Sequence, residues 1–527
     1  MCGIIGYIGD RDGLEILKYG LKAVEYRGYD SVGYYDGRLV KDVGKVDDFL
    51  KKVKDVKVPF IAHTRWATHG KVSAENAHPH KVGKIALVHN GTIENYKALK
   101  EKLPYEWKSE TDTEVIAALL DYYNEEDFLK TLEKVLPMLK GTYALAIIRE
   151  GDPRIYFAKK DTPLLLGIGE GENFVASDLV AFLPYTNRYI RLEDGEYGYI
   201  ERDKYVIKGR ENIRPQTFEG DIKAAFKGEF PTFMLKEIHE QLDIVPQVLS
   251  VDVSEVREIF QTQEIDIIAA GTSYHAAWYL RYLTGFNVHP YVASEYPYLM
   301  REPKWVFAIS QSGETIDTIK AVKQAKQKGA KVISLTNYVS STLAALSDYV
   351  VPLNAGIEIG VAATKTFLAQ LLFAHNLIGD KDIKGMKEAV RRGLEAPLFE
   401  LTKPKIFFLG RGINYVLAME GALKFKELTY VPAEAFPAGE MKHGPLSLFD
   451  KDTDVVFFLG PQGRELAKVN MEEVRARGAN VHEVIFPDKY YELSATVFLQ
   501  RLAHEHAVRW GKDPDKPRHL AKSVTVE

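Results

Sequence analysis

The strongest constraint on what this chain can fold into is a pattern that occurs twice in its second half. "DIIAAGTSYHAAWYL" and "KIFFLGRGINYVLAM" each read as an apolar strand, a glycine turn and a helix. "QAKQKGAKVISLTN" and "EEVRARGANVHEVIF" each read as a charged helix end, a Gly-Ala turn and a strand. Short, almost purely apolar strands alternating with helices indicate parallel sheets covered on both faces. Strands are therefore expected at 266–270, 305–309, 332–335, 405–409, 455–459 and 481–486. They divide into two copies of one doubly wound unit, 255–385 and 396–517, and leave residues 518–527 outside both.

The first 210 residues are patterned differently. Runs rich in β-branched and aromatic residues, broken by glycine and asparagine, mark strands at 3–8, 85–89, 143–148, 155–158 and 197–200. Helical stretches fall at 13–25 and 113–123, which suggests an α+β layered domain. Residues 211–254 carry mixed charge and Pro215, Gly220, Gly228 and Pro231, and read as a linker leading into a polar helix at 232–243.

A chain of 527 residues is too long for one ordinary core. Its net charge is −4 with dispersed basic residues, which excludes the basic stripe of a nucleic-acid binder. One cysteine excludes a disulfide framework and makes a reducing, cytoplasmic setting the expected one. No basic region followed by an apolar stretch opens the chain, so no signal peptide is expected. The longest apolar run, 367–378, is interrupted by Gln370, His375 and Asn376 and is too short and polar to span a bilayer. His78-Pro79-His80 and His504-Glu505-His506 lack zinc-site spacing, and neither HExxH nor CxxC occurs. Hydrogen-bonded histidines, no metal and no cofactor are the expectation.

The cysteine is Cys2, in Met1-Cys2-Gly3-Ile4-Ile5-Gly6. With Met1 removed, one residue carries both a thiol and an α-amine that titrates near pH 8 and can serve as its base. A small buried apolar residue is the alternative. Four segments of high polar density accompany it: "EYRGYDS", "AHTRWATHG", "VHNGTIEN" and "SETDTE". Asn90-Gly91, at a strand end, offers a side-chain amide and a backbone N–H for an oxyanion, or else a hairpin turn. Arg65 offers a fork for an α-carboxylate and Asp112 an acceptor for an α-ammonium, the two groups a free amino acid such as glutamine presents. Thr111 or Asp112 as a simple helix cap is the competing reading.

In the second half, "AISQSGETIDTIK" places Ser310, Gln311, Ser312, Gly313 and Thr315 between a strand and a helix. "AGTSYH" places Thr272 and Ser273 at the equivalent earlier turn. Five hydroxyls on two adjacent turns exceed what helix capping requires and favour a phosphate site. The second copy has Gly410-Arg411-Gly412 and Gly460-Pro461-Gln462-Gly463 instead, so only the first copy is expected to hold a phosphate this way. Lys424 and Glu427 share a helix face, which alone reads as a solvated pair. His443 and the tail lysine Lys522 carry no local signal.

The N-terminal motifs resemble the glutaminase domain of the N-terminal-nucleophile (Ntn) amidotransferases, and most closely the isomerizing glutamine–fructose-6-phosphate aminotransferase family. The C-terminal half, including "LAKSVTVE", is similar to the paired sugar-isomerase (SIS) domains of that family. The resemblance implies an Ntn hydrolase-like αββα domain followed by two α/β doubly wound SIS domains. It implies Cys2 as nucleophile with its own α-amine as base, Asn90 and Gly91 as oxyanion hole, and Arg65, Trp66, Thr68, His69 and Asp112 around glutamine. Trp66 falls where the family places an ammonia-channel gate. Ser273, Ser310, Gln311, Ser312 and Thr315 match the sugar-phosphate site, with Thr272 and Val361 near the sugar hydroxyls. Glu427 matches the base moving a proton between C1 and C2, Lys424 an auxiliary proton carrier, and Lys522 the lysine that forms a Schiff base. His443 matches a ring-opening residue supplied by the neighbouring subunit of a homodimer.

The implied reaction is L-glutamine plus D-fructose 6-phosphate to D-glucosamine 6-phosphate plus L-glutamate, the entry to amino-sugar synthesis. Ala270 where the family often has cysteine, Ala363 where serine is common, and a short interdomain segment are departures. An aminotransferase for another sugar phosphate and a sugar-phosphate-sensing regulator are the alternatives. No nucleic acid or membrane partner is implied.

Overall fold

The computed structural model describes residues 2–66, 70–218, 227–339, 341–487 and 489–524. Two compact units are present, residues 1–222 with 523–527, and residues 223–522.

The first unit stacks two antiparallel sheets. Eight strands run in the order Gln216–Thr217, Arg188–Arg191, Leu165–Ile168, Glu172–Ala176, Gly3–Gly9, Phe60–Arg65, Ser31–Tyr35, Leu39–Val43. Six run in the order Tyr205–Lys208, Tyr197–Ile200, Ile155–Lys160, Gly141–Arg149, Ile85–Ile93, His80–Val82. Side-chain alternation decides what each face buries. Ile4, Ile8 and Ile61 from the first sheet meet Ala86, Val88, Ala144 and Ala146 from the second in a dry inner core. Ile5, Tyr7 and Ala62 face the other way, against Ile16, Leu17, Leu21 and Val24 of the helix Gly13–Val24. Leu87, Leu145 and Ile147 likewise pack under the helices Asp112–Tyr122 and Phe128–Val135. Helix, sheet, sheet and helix thus form the four layers that the resemblance implies. Gln216–Thr217 still pair with Arg188 and Tyr189, inside the stretch expected to be linker.

The second unit holds two all-parallel sheets. Five strands run in the order Val288–Val292, Ile265–Ala269, Trp305–Ile309, Lys331–Thr336, Tyr349–Pro352, and four in the order Ala433–Pro437, Lys405–Gly410, Thr453–Phe458, Asn480–Val484. Numbered along each repeat, these orders are 2-1-3-4-5 and 2-1-3-4, so the internal duplication extends to topology. In both, the first and third strands lie side by side while their connections leave in opposite directions. That crevice is where doubly wound folds bind ligands, outside the carboxyl ends of the strands. The strands Val288–Val292, Tyr349–Pro352 and Ala433–Pro437 add to the expected set. All three are edge strands carrying proline, where a missing N–H is tolerated and apolar patterning is weak. The helices Phe233–Leu249, Lys365–Leu377, Ile413–Thr429 and Tyr491–Arg509 share one core with the inner faces of both sheets. The first of these runs past its expected end and through Pro246. Among the described residues no helix is long and apolar enough to cross a membrane.

Candidate active sites

In the first unit, Cys2 immediately precedes the strand Gly3–Gly9 of the eight-stranded sheet and is partly exposed. The Trp66 amide donates to its Sγ at 3.3 Å, and Sγ lies 3.5 Å from the Trp66 carbonyl. The Cys2 carbonyl accepts from Asn90 Nδ2 at 2.8 Å and from Arg27 Nε at 3.2 Å. Arg27, in "EYRGYDS", is a contact the sequence reading did not assign, and it also pairs with Asp178 at 3.5 Å.

Asn90-Gly91 forms no hairpin. Both residues lie inside the strand Ile85–Ile93, opposite Ala144 and Tyr143, and the strand continues beyond them. Gly91 has φ +130°, and a Cβ there would lie 2.2 Å from the Thr142 carbonyl oxygen. Only glycine fits this twist of the backbone. The Asn90 amide has two N–H groups. One of them is directed at the Cys2 carbonyl.

Neither Thr111 nor Asp112 acts as a plain helix cap. Thr111 lies at the cap position without a side-chain capping bond, and its hydroxyl instead meets Ser109 Oγ at 2.9 Å and His80 Nε2 at 3.1 Å. The buried Asp112 carboxylate accepts from the Ile93 amide at 2.7 Å. Burial pulls the Arg65 guanidinium down from its usual range, and its interactions with Cys2, Asp30 and Asp112 oppose this. Arg65 is thus within electrostatic reach of Cys2 and of the Asp30 and Asp112 carboxylates. Thr68 and His69 lie outside the described residues.

The histidines of this unit form a buried cluster. His63 and His78 rings stack with centroids 4.2 Å apart, and His78 meets His80 edge-on at 5.0 Å. Burial holds all three well below the usual imidazole range, His63 at about 3. They are neutral hydrogen-bonding groups. His504 and His506 are likewise bonded, to Thr232 at 2.8 Å and the Leu401 amide at 2.9 Å.

In the second unit the two hydroxyl-rich turns follow the adjacent strands Ile265–Ala269 and Trp305–Ile309. The helices that start there, Thr272–Thr284 and Ile316–Gln327, have no side-chain cap. Ser310 Oγ accepts from the Gly313 amide at 3.0 Å and contacts Thr315 Oγ1 at 3.1 Å, while Ser312 Oγ accepts from the Glu314 amide at 3.1 Å. The hydroxyls shape the loop rather than capping the helices. The Gln311 carbonyl is tied to the Asn337 amide at 3.1 Å, and Ser273 Oγ accepts from Gln370 Nε2 at 3.0 Å. The second copy fills the same place with its own side chains. Gln462 Oε1 accepts from the Ile413 amide at 2.8 Å, and Arg411 reaches Asn470 at 2.9 Å.

Lys424 is no solvated lysine. Its buried ammonium lies 2.8 Å from Thr272 Oγ1, 2.7 Å from Glu427 and 3.1 Å from Glu420. Thr272 donates onward to Glu420 at 3.1 Å, and His275 adds a 2.7 Å contact to the same carboxylate. Burial opposes the Lys424 charge, but the two carboxylates outweigh it and hold the ammonium above its ordinary range. Burial raises the Glu427 carboxyl, against the pull of Lys424. A carboxylate raised this way is a better proton acceptor near neutral pH. Glu420 went unassigned from sequence, although Glu420, Lys424 and Glu427 form an i, i+4, i+7 stripe.

Lys522 is folded into the same unit. Its Nζ donates to Glu358 at 2.5 Å and to the Gly360 carbonyl at 2.7 Å. Glu358 also accepts from Thr366 Oγ1 at 2.7 Å and the Thr364 amide at 3.0 Å. Burial disfavours its charge, yet Lys522 and these donors hold the carboxyl well below the usual range. Glu237 supports the loop by accepting from the Ile359 and Gly360 amides at 2.5 and 3.1 Å. Val361 is buried, its amide bonded to the Asp515 carbonyl at 3.1 Å. The charge of Lys522 acts on Glu427 only weakly, after burial and the pull of Lys424. His443 alone stands apart, exposed after a short helical turn, Glu440–Lys442.

Residues 63–184 match the glutamine amidotransferase domain family, and residues 258–378 and 401–490 match the SIS domain family. Three similar proteins share the name glutamine–fructose-6-phosphate aminotransferase (isomerizing). They come from Sulfurisphaera tokodaii, Thermococcus kodakarensis and Acinetobacter baylyi, at 43%, 41% and 39% identity. In each comparison the alignment covers 100% of both chains. With two sites of matching chemistry and this similarity from end to end, the chain belongs to the isomerizing glutamine–fructose-6-phosphate aminotransferase family.

Proposed function

We propose that the protein transfers the amide nitrogen of L-glutamine to D-fructose 6-phosphate, giving D-glucosamine 6-phosphate and L-glutamate. The observation that carries this reading is Lys522, a tail lysine drawn onto Glu358 and Gly360 in the unit that also holds the buried Lys424–Glu427 pair.

In the glutaminase half, Arg65 and Asp112 hold the α-carboxylate and α-ammonium of glutamine. The Cys2 thiolate attacks the γ-amide carbon, and its proton passes through the α-amine to the leaving ammonia. Asn90 and the Gly91 amide take the oxyanion, and water then hydrolyses the thioester to glutamate. Thr68 and His69 complete the substrate loop, and Trp66 gates the passage of ammonia. Keeping ammonia from bulk water keeps it unprotonated and nucleophilic.

In the isomerase half, Ser310, Gln311, Ser312, Thr315 and Ser273 hold the phosphate, and Thr272 and Val361 border the sugar. Lys522 condenses with C2 of the open-chain ketose, releasing water. Ammonia displaces the lysine, and Glu427 moves a proton from C1 to C2, with Lys424 balancing its charge. The exposed His443 opens the sugar ring in the partner of a homodimer. The single cysteine favours a cytoplasmic setting.

Reduction with borohydride in the presence of fructose 6-phosphate tests the lysine. A hexitol-phosphate adduct on the Lys522 peptide is expected. An adduct on other lysines only, or none, contradicts the assignment.

A further inference from the structure

We infer that His63 is a positioning residue for glutamine cleavage: its Nε2–H fixes which way the Asn90 amide faces, and so aims the amide nitrogen at Cys2. The inference rests on the glutaminase reading of Cys2 and Asn90 given above.

The hydrogen bonds leave one solution. His63 Nε2 lies 3.1 Å from the His89 carbonyl oxygen, which can only accept, so Nε2 carries the proton. The same Nε2 lies 3.0 Å from the Asn90 amide, and the atom facing an N–H must be Oδ1. That turns Nδ2 toward the Cys2 carbonyl at 2.8 Å, a second acceptor-only partner. Both ends of the Asn90 amide are thereby specified, one by the nucleophile's residue and one by His63.

The placement follows from the pleat. Ile61 and His63 point into the space between the sheets, as do Ala86, Val88 and Asn90 on the facing strand. His63 stands opposite Ile4 in the strand beside the nucleophile's. Its hydrogen bond therefore ties the sheet that carries Cys2 to the sheet that carries the oxyanion donors. The ring is buried, stacked on His78, and Nδ1 meets no donor among the described residues. Burial holds it neutral throughout the working pH range, so the single N–H is permanent.

The test uses the full chain and three variants. His63→Leu removes the donor, and His63→Gln places an amide N–H near the position of Nε2. Losing one hydrogen bond of about 1–1.5 kcal/mol lowers kcat for glutamine hydrolysis about 5- to 15-fold. KM for glutamine stays within about twofold, because Arg65 and Asp112 are untouched. His63→Gln is expected within about threefold of wild type. In an Asn90→Ala background, His63→Leu changes kcat by less than about twofold, since the group it positions is gone. Should His63→Leu fail to fold, His63→Asn, too short to reach Asn90, takes its place under the same expectations. A normal kcat in the donor-free variant, or an equal loss with and without Asn90, overturns the inference. A wild-type chain that cleaves no glutamine overturns the glutaminase reading itself.

Discussion

Gly91→Ala tests the oxyanion geometry where the structure leaves no latitude. At φ +130° an L-residue is strained by about 1–3 kcal/mol. The added Cβ would lie 2.2 Å from the Thr142 carbonyl oxygen, about 1 Å inside normal contact. That oxygen belongs to the neighbouring strand, whose residues 143 and 144 pair with Gly91 and Asn90. The two strands must therefore part by about the length of the overlap, moving the Gly91 amide and the Asn90 side chain from Cys2. A misplacement of about 1 Å lowers kcat about 10²-fold. Strain and overlap together destabilise the unit by about 3 kcal/mol, or about 6–12 °C in its thermal transition. Gly37→Ala is the control, since Gly37 has φ +94° but nothing within 4 Å of the added methyl. It shares the strain and lacks the overlap, so its kcat stays within about twofold. Glutamate release, ammonia-dependent glucosamine 6-phosphate synthesis and melting by calorimetry separate these effects. Ammonia-dependent synthesis should survive in both variants. Gly91→Ala with wild-type glutaminase kcat in a folded chain would refute the geometry.

Three further expectations follow from the sites. Cys2→Ala should abolish glutamine-dependent synthesis while added ammonia still supports some product, and full glutamine use by that variant would contradict the nucleophile. Thr315→Val should raise KM for fructose 6-phosphate about 5- to 15-fold, the worth of one hydrogen bond, with kcat nearly constant; steady-state kinetics with ammonia as donor measures this. Acidification should destabilise the first unit, because unfolded imidazoles take up protons below pH 6.5 that buried His63, near 3, does not. For His63 alone the loss between pH 6.5 and 5 is about 1.6 kcal/mol, and in His63→Gln the slope of stability against pH near pH 5 should fall by about one proton. An unchanged slope in calorimetric scans would contradict a neutral, buried His63.

What the chain discloses without coordinates depends on how local each feature is. Buried central strands such as Trp305–Ile309 announce themselves by continuous apolar runs. The edge strand Val288–Val292 does not, because His289 and Pro290 interrupt it and one side needs no partner. Asn90-Gly91 suggests a hairpin by composition, yet its role follows from a strand that continues to Ile93 and from a neighbour 52 positions on. Glu420 was legible in principle, one turn before Lys424 on the same helix. Glu358 and Glu237 were not, since neither has a local pattern. Their significance arises only when the tail brings Lys522 to the loop that Glu237 braces. His63 belongs to that class too. Its partner is 27 positions away in another sheet.

The central claim is that one chain moves nitrogen from glutamine to a ketose phosphate. The most direct measurement supplies the purified protein with fructose 6-phosphate and glutamine labelled with nitrogen-15 in the amide, against excess unlabelled ammonium. The account predicts glucosamine 6-phosphate carrying the label in its amino group, with one glutamate formed per sugar. Unlabelled glucosamine 6-phosphate, or glutamate released with no amino sugar, would contradict it.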